Sequence, residues 1–174
     1  MTVTSEVTVT WQNFMHLPDL DTPSAIVDLD LLAANIQRLQ TYLDDHGIAN
    51  RPHVKTHKIP AIAHMQMAAG AVGITCQKIS EAEVIADAGL TDIFIPYNII
   101  GAAKLNRLME LARRTTLSVT ADSAFVVRGL SGAAQAAGLA LTVLVECDLG
   151  GQRCGVQSPQ EAAELVVCKA CFDG

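Results

Sequence analysis

Short apolar runs that lack polar alternation, each followed by a stretch with helical spacing, organise most of the chain beyond residue 49. A strand apolar on both sides belongs in a parallel sheet covered on both faces. Strands are predicted at 49–55, 72–78, 92–96, 117–121 and 139–147, the last nearly all apolar. Between them, a helix opens at Pro60 and stops before Gly70, since proline at the first helical position gives up an N–H that has no partner there anyway. Another starts at Ser80, where Ser-Glu-Ala-Glu offers a capping box. Further helices are predicted at 102–114, at 122–137 with glycine interruptions, and from Ser158 as cap to about residue 168. Upstream, 24–30 reads as a short β-type segment entered from Pro23. Apolar residues at 31, 32, 36, 39 and 43 predict a helix that Gly47 stops. Residues 1–20 are polar and then aromatic, with Trp11, Phe14 and Met15 but no sustained period, and read as an arm that docks on something.

Five strand–helix units in a row, with no GxGxxG or P-loop pattern, favour an α/β parallel (β/α) barrel over a dinucleotide-binding sheet. Five units fall short of the eight strands that close such a barrel in about 250 residues. The barrel is therefore expected to be incomplete, with 21–174 forming its N-terminal part. Half of the 174 residues are hydrophobic and 4% are aromatic, so Ala, Leu, Ile and Val must fill the core. A net charge of −6, with no basic stripe, argues against nucleic acid. No apolar run is long enough for a membrane span, and Met1–Val7 has no basic region ahead of an apolar one, which points to the cytoplasm. The five cysteines are read as reduced thiols, with Cys76 and Cys147 in the core and the Cys168-Lys-Ala-Cys171 spacing as small apolar positions on a helix.

The densest candidate chemistry is Arg51-Pro52-His53-Val54-Lys55-Thr56-His57-Lys58. Crowded cations disfavour an ammonium group, and the resulting free amine is a nucleophile at neutral pH suited to holding an aldehyde cofactor as a Schiff base. An exposed basic turn fits the same run. On a strand, His53, Lys55 and His57 share one face, and Lys55 lies at the carboxyl end, where parallel barrels place their sites. Lys58 would start the following helix. His53 and His57 can donate a hydrogen bond or carry a proton, or be satisfied by backbone carbonyls. Arg51 reads as a strand-entry ion-pair residue. Gln77 ends the second strand and can reach a ligand, as can Asn98 after the third, although either can equally be a polar strand end. Asp148-Leu-Gly-Gly-Gln-Arg-Cys-Gly follows the fifth strand, so its glycines can fold Arg153 over the same end of the sheet, with Asp148 as the carboxylate that fixes it.

The basic run resembles the cofactor-lysine motif of the D-threonine aldolase and D-serine dehydratase family, which are pyridoxal 5'-phosphate enzymes built on the barrel domain of alanine racemase. The likeness continues through Asp21-Thr22-Pro23-Ser24, Cys76-Gln77-Lys78-Ile79-Ser80-Glu81-Ala82 and Asp148-Leu149-Gly150-Gly151-Gln152-Arg153-Cys154-Gly155-Val156. It implies Lys55 as the Schiff-base lysine and Arg153 as the arginine that addresses the phenolic oxygen of the cofactor. The common family order at this loop is Gly-Gln-Gly-Arg; here it is Gly-Gly-Gln-Arg. The resemblance further implies a phosphate site on later strands, a C-terminal β domain absent from these residues that carries the ligands of a divalent metal, and a homodimer when full length. No metal ligand is assigned within the chain. The implied activity is a lyase acting on small D-β-hydroxy amino acids. Retro-aldol cleavage of a D-threonine-like substrate is the first choice, D-serine dehydratase-like deamination the second, and a catalytically inert fragment the third. Expressed alone, the 174 residues are expected to self-associate and show no turnover, because the fifth strand would be an open apolar edge.

Overall fold

The computed structural model describes residues 16–167. Four parallel strands, β1 (Ile74–Thr75), β2 (Asp92–Ile95), β3 (Thr116–Ala121) and β4 (Thr142–Val145), form one sheet in the order β1-β2-β3-β4. Helices α1 (Leu29–Asp45), α2 (Pro60–Ala69), α3 (Ile79–Asp87), α4 (Ala102–Ala112), α5 (Ala124–Ala137) and α6 (Pro159–Val166) alternate with them. The arrangement is the expected α/β succession of strand–helix units, open as a partial barrel. The predicted arm around Trp11, Phe14 and Met15, and the CxxC pair, lie outside the described residues.

Register explains which face is which. Ile74 pairs with Ile93, Ile93 with Leu117, and Val119 with Val143. Successive side chains point to opposite faces, so these residues line one side of the sheet together with Ile95 and Ala121. That side packs on Ile79, Ala82 and Ile85 of α3, Leu108 and Leu111 of α4, and Val126, Val127 and Leu130 of α5, which form the core with it. The alternate residues Thr75, Phe94, Ser118, Thr120, Thr142 and Leu144 occupy the other side. β4 is therefore not apolar on both faces as expected. Its Thr142 and Leu144 are exposed, and the inner side is mainly hydroxyl-bearing rather than oily.

Several sequence expectations shift in the structure. The strand predicted at 49–55 is reduced to a single bridge, His53 opposite Thr75. Val72 and Thr75 donate their N–H groups to the carbonyls of Asn50 and Pro52, at 2.8 Å each. Pro52 has no N–H to return, which weakens the ladder, and the chain then closes into a 3-10 turn at Val54–Thr56. The β-type segment at 24–30 makes no strand. Residues 24–28 have no regular structure, and Asp28 instead caps α1 by accepting the Leu31 N–H at 3.0 Å. In α1, Leu31 and Leu39 face solvent, while Leu32, Ile36, Gln40 and Leu43 turn inward. At α3 the cap residue is Lys78 and Ser80 makes no capping bond; Glu81 instead accepts the Gln77 N–H at 2.9 Å. Ser158 caps α6 as expected, accepting the Glu161 N–H at 3.2 Å.

Arg51 serves as the ion-pair residue expected of it, with Nη1 2.7 Å from Asp92 Oδ1. Gly73 is what lets it pass, because a Cβ there would fall 2.0 Å from Arg51 Nη1. The ion pair joins the first residue of the basic run to the start of β2 and so anchors the edge from which Lys55 projects.

Candidate active site

The carboxyl ends of the strands enclose a cavity of about 820 Å³. His53 and Lys55 contribute from the first segment, Gln77 from just after β1, Tyr97 and Asn98 from just after β2, and Glu146, Asp148, Arg153 and Cys154 from the segment after β4. Lys55, His53, Gln77 and Arg153 thus come together on one cavity at the expected end of the sheet. His57 does not line it. The shared face predicted for His53, Lys55 and His57 required a strand, and the 3-10 turn breaks that period of two.

The two histidines act on the backbone around Lys55. His53 Nδ1 accepts the N–H of Lys55 at 3.3 Å, and His57 Nδ1 accepts the N–H of Ile59 at 3.0 Å. One imidazole thus opens the turn and the other leads into α2, whose own N-cap, Ile59, has no side chain able to bond. Burial pushes the pKa of His57 below its ordinary value, partly opposed by the Gln66 side chain. His57 Nε2 and Gln66 Oε1 are both buried without a well-formed hydrogen bond.

The two lysines of the run separate. Lys58, at φ +54, places Nζ 3.4 Å from Glu81 Oε1. Lys55 makes no ion pair among the described residues, is exposed, and stands on the cavity wall. Its turn is anchored from below by Val54, which is fully buried.

The loop after β4 is held differently. Asp148 Oδ1 accepts the N–H groups of Gly150 at 2.9 Å and Gln152 at 3.1 Å. Those bonds, that of Gln152 foremost, hold its carboxyl pKa below the usual value against partial desolvation. Asp148 therefore folds the loop itself and makes no ion pair with Arg153, contrary to the expected pairing. The loop returns beside β4 through a parallel bridge of Cys147 to Val156, and Gly155 sits at φ +104 where a Cβ would meet Asp148 N at 2.6 Å. No other residue fits there without moving backbone.

Sequence reading passed over Glu146. It lines the cavity, accepts the Cys154 thiol proton on Oε1 (Sγ to Oε1 3.0 Å), and buries Oε2 without a partner. Its parity was the available signal: Thr142, Leu144 and Glu146 alternate onto the inner side of β4. Glu146 also raises the pKa of Cys154. Cys76 is buried as expected, its thiol pushed up to about 12 by burial and by Glu81, whereas Cys147 is exposed. Among the described residues no group of three or more His, Cys, Asp or Glu gathers to hold a metal, and no helix is long and apolar enough to cross a membrane.

Known proteins share this framework. The chain is 46% identical over 140 residues to a D-threonine aldolase of an Arthrobacter species, covering 80% of this chain and 37% of that protein. A D-threo-3-hydroxyaspartate dehydratase of a Delftia species is 36% identical over 156 residues, covering 89% of this chain and 41% of that one. The crystal structure of D-threonine aldolase from Filomicrobium marinum superposes with a TM-score of 0.83 at 47% identity, over 86% of this chain and 40% of that chain. The chain thus spans about 40% of the length of these relatives. Residues 27–170 match the family described as alanine racemase, N-terminal domain, and with that match over most of its length the chain belongs to this family.

Proposed function

We infer that the protein is a pyridoxal phosphate-dependent lyase acting on D-β-hydroxy amino acids, with retro-aldol cleavage of a D-threonine-like substrate to glycine and an aldehyde as its reaction. The observation that carries this reading is the convergence of Lys55 and Arg153 on one cavity at the carboxyl ends of parallel strands. The donor set there fits the cofactor: a primary amine outside any ion pair among the described residues, a guanidinium, and the Gln77 amide, in a space large enough for a cofactor with an amino acid. When bound, pyridoxal phosphate supplies a conjugated ring that accepts the electron pair left at Cα when a bond there breaks. Lys55 would hold the cofactor covalently and Arg153 would address its ring oxygen. Gln77, whose Oε1 is taken by His53, offers its NH₂ group. Lys58 is committed to Glu81 and stays out of the chemistry. A divalent metal belongs to this reading, with ligands outside the described residues, as does a homodimer.

The dehydratase reaction is a second reading, favoured by the similarity to the Delftia protein. The two reactions share Lys55 and differ in which bond at Cα is broken. Borohydride reduction after loading with pyridoxal phosphate, followed by peptide mapping, tests the shared part: a pyridoxyl group is expected on Lys55, and finding it on Lys58 overturns the assignment. Incubating the holoenzyme with D-threonine and assaying glycine against 2-oxobutanoate separates aldolase from dehydratase.

A further inference from the structure

Both ring nitrogens of His53 are already engaged. Nδ1 accepts the Lys55 N–H at 3.3 Å, so it carries no proton. The single ring proton therefore sits on Nε2, which lies 3.3 Å from Gln77 Oε1 and donates to it. Gln77 is itself held in place, because its N–H donates to Glu81 Oε2 at 2.9 Å, and Glu81 is a buried carboxylate on the first turn of α3 whose other oxygen meets Lys58. A continuous line of contacts thus runs from Lys58 through Glu81, Gln77 and His53 to the backbone of Lys55.

We propose that His53 and Gln77 are a positioning pair for Lys55: Gln77 locks the imidazole as its neutral Nε2–H tautomer, and the freed Nδ1 caps the start of the 3-10 turn that presents the Lys55 amine to the cavity. His53 is then not the group that carries a proton to or from a ligand, since Nδ1 caps the Lys55 N–H only while it is a bare acceptor, the turn itself being closed by the His57 and Lys58 N–H groups on the Val54 carbonyl. The inference deepens the lyase reading and rests on it for the importance of Lys55, but the tautomer is a property of the chain alone. It also explains why a glutamine serves at position 77. An amide oxygen accepts from Nε2–H without favouring the imidazolium, whereas a carboxylate there would stabilise the doubly protonated ring and remove the acceptor of the Lys55 amide.

The test has two arms on the full chain. Without cofactor, long-range ¹H–¹⁵N correlation at about pH 7.5 is expected to show His53 as the neutral Nε2–H tautomer; an Nδ1–H tautomer or an imidazolium overturns the proposal. With pyridoxal phosphate as the probe, the rate of borohydride-trapped pyridoxyl-Lys55 is expected to fall about tenfold in His53→Ala. His53→Asn should restore most of it, because an asparagine oxygen can accept the same i+2 amide and cannot titrate. In Gln77→Glu the rate should drop more steeply than in the wild type as the pH is lowered from about 8 to about 6. An Asn variant as slow as the Ala variant shows that His53 does more than cap the turn and also overturns the proposal. If the wild type traps no pyridoxal phosphate at Lys55, the lyase reading fails on its own, and the tautomer measurement still decides this one.

Discussion

The two segments that meet at the cavity are built on different principles. The Lys55 turn is three residues long, sits on the buried Val54, and is bracketed by imidazoles that accept backbone N–H groups. The Arg153 loop is glycine-rich, follows a half-exposed edge strand, and is gathered around one carboxylate, Asp148. Short turns on a buried anchor fix a side chain closely. The loop gathered by Asp148 is returned beside β4 by the Asp148 N–H on the Val156 carbonyl at 2.9 Å and the Val156 N–H on the Glu146 carbonyl at 2.8 Å, with a close backbone approach at Gly155. The amine is thus mounted on a short turn capped by an imidazole and the guanidinium on a longer loop gathered by a carboxylate.

The largest expected effect falls on the amine itself. Lys55→Ala should abolish trapping of pyridoxal phosphate at this turn, while Lys58→Ala leaves it in place; mass spectrometry after borohydride reduction reads both, and equal loss in the two variants would erase the distinction between them.

On the other segment, Gly155→Ala should cost about 3 kcal/mol, because a positive φ is combined with a clash against backbone rather than against a flexible side chain. Urea denaturation measures it, and a change under about 0.5 kcal/mol would show that the loop return adjusts freely.

Acid should undo the two segments in separate windows. The pKa of His57 is lowered from 6.5, so the unfolded chain binds the proton more readily, and the contribution of the neutral ring is complete above about pH 6.5 and declines below it. The pKa of Asp148 is lowered from 3.8, so its contribution declines only below that value. Hydrogen exchange at about pH 5 should show Ile59 opening while Gly150 and Gln152 remain protected. Simultaneous opening of both would mean that the two segments are coupled.

The smallest effect expected is on stability in Lys58→Ala, about 0.5 kcal/mol, since the lysine is more than half exposed and Glu81 keeps its bond to the Gln77 amide.

Hydrophobic patterning placed α2, α4, β2 and β3 to within about two residues, because their apolar spacing and their proline and glycine boundaries act locally. That Lys55 and Arg153 lie at the same end of the sheet was also legible, since each was placed at or after the carboxyl end of a predicted strand and such ends share one side of a parallel sheet. The same local logic misassigned 49–55, where Pro52 cannot return a ladder bond and the next residues close into a turn. His57 went with it, because its predicted face depended on a strand that does not form. Glu146 was passed over inside a strand read as nearly all apolar.

Some features were decided by the sequence alone: the α/β alternation and the presence of an amine and a guanidinium at one end of the sheet. These follow from periodicities that need no knowledge of distant residues. Only the tertiary structure decided which lysine is free and which is paired, that Asp148 gathers amides rather than Arg153, and that His53 is held between Lys55 and Gln77. Each of those depends on groups brought together by folding, such as Lys58 with Glu81 across 23 positions and His53 with Gln77 across 24, at separations of 3.3 to 3.4 Å. Local patterns carry no information about contacts of that kind.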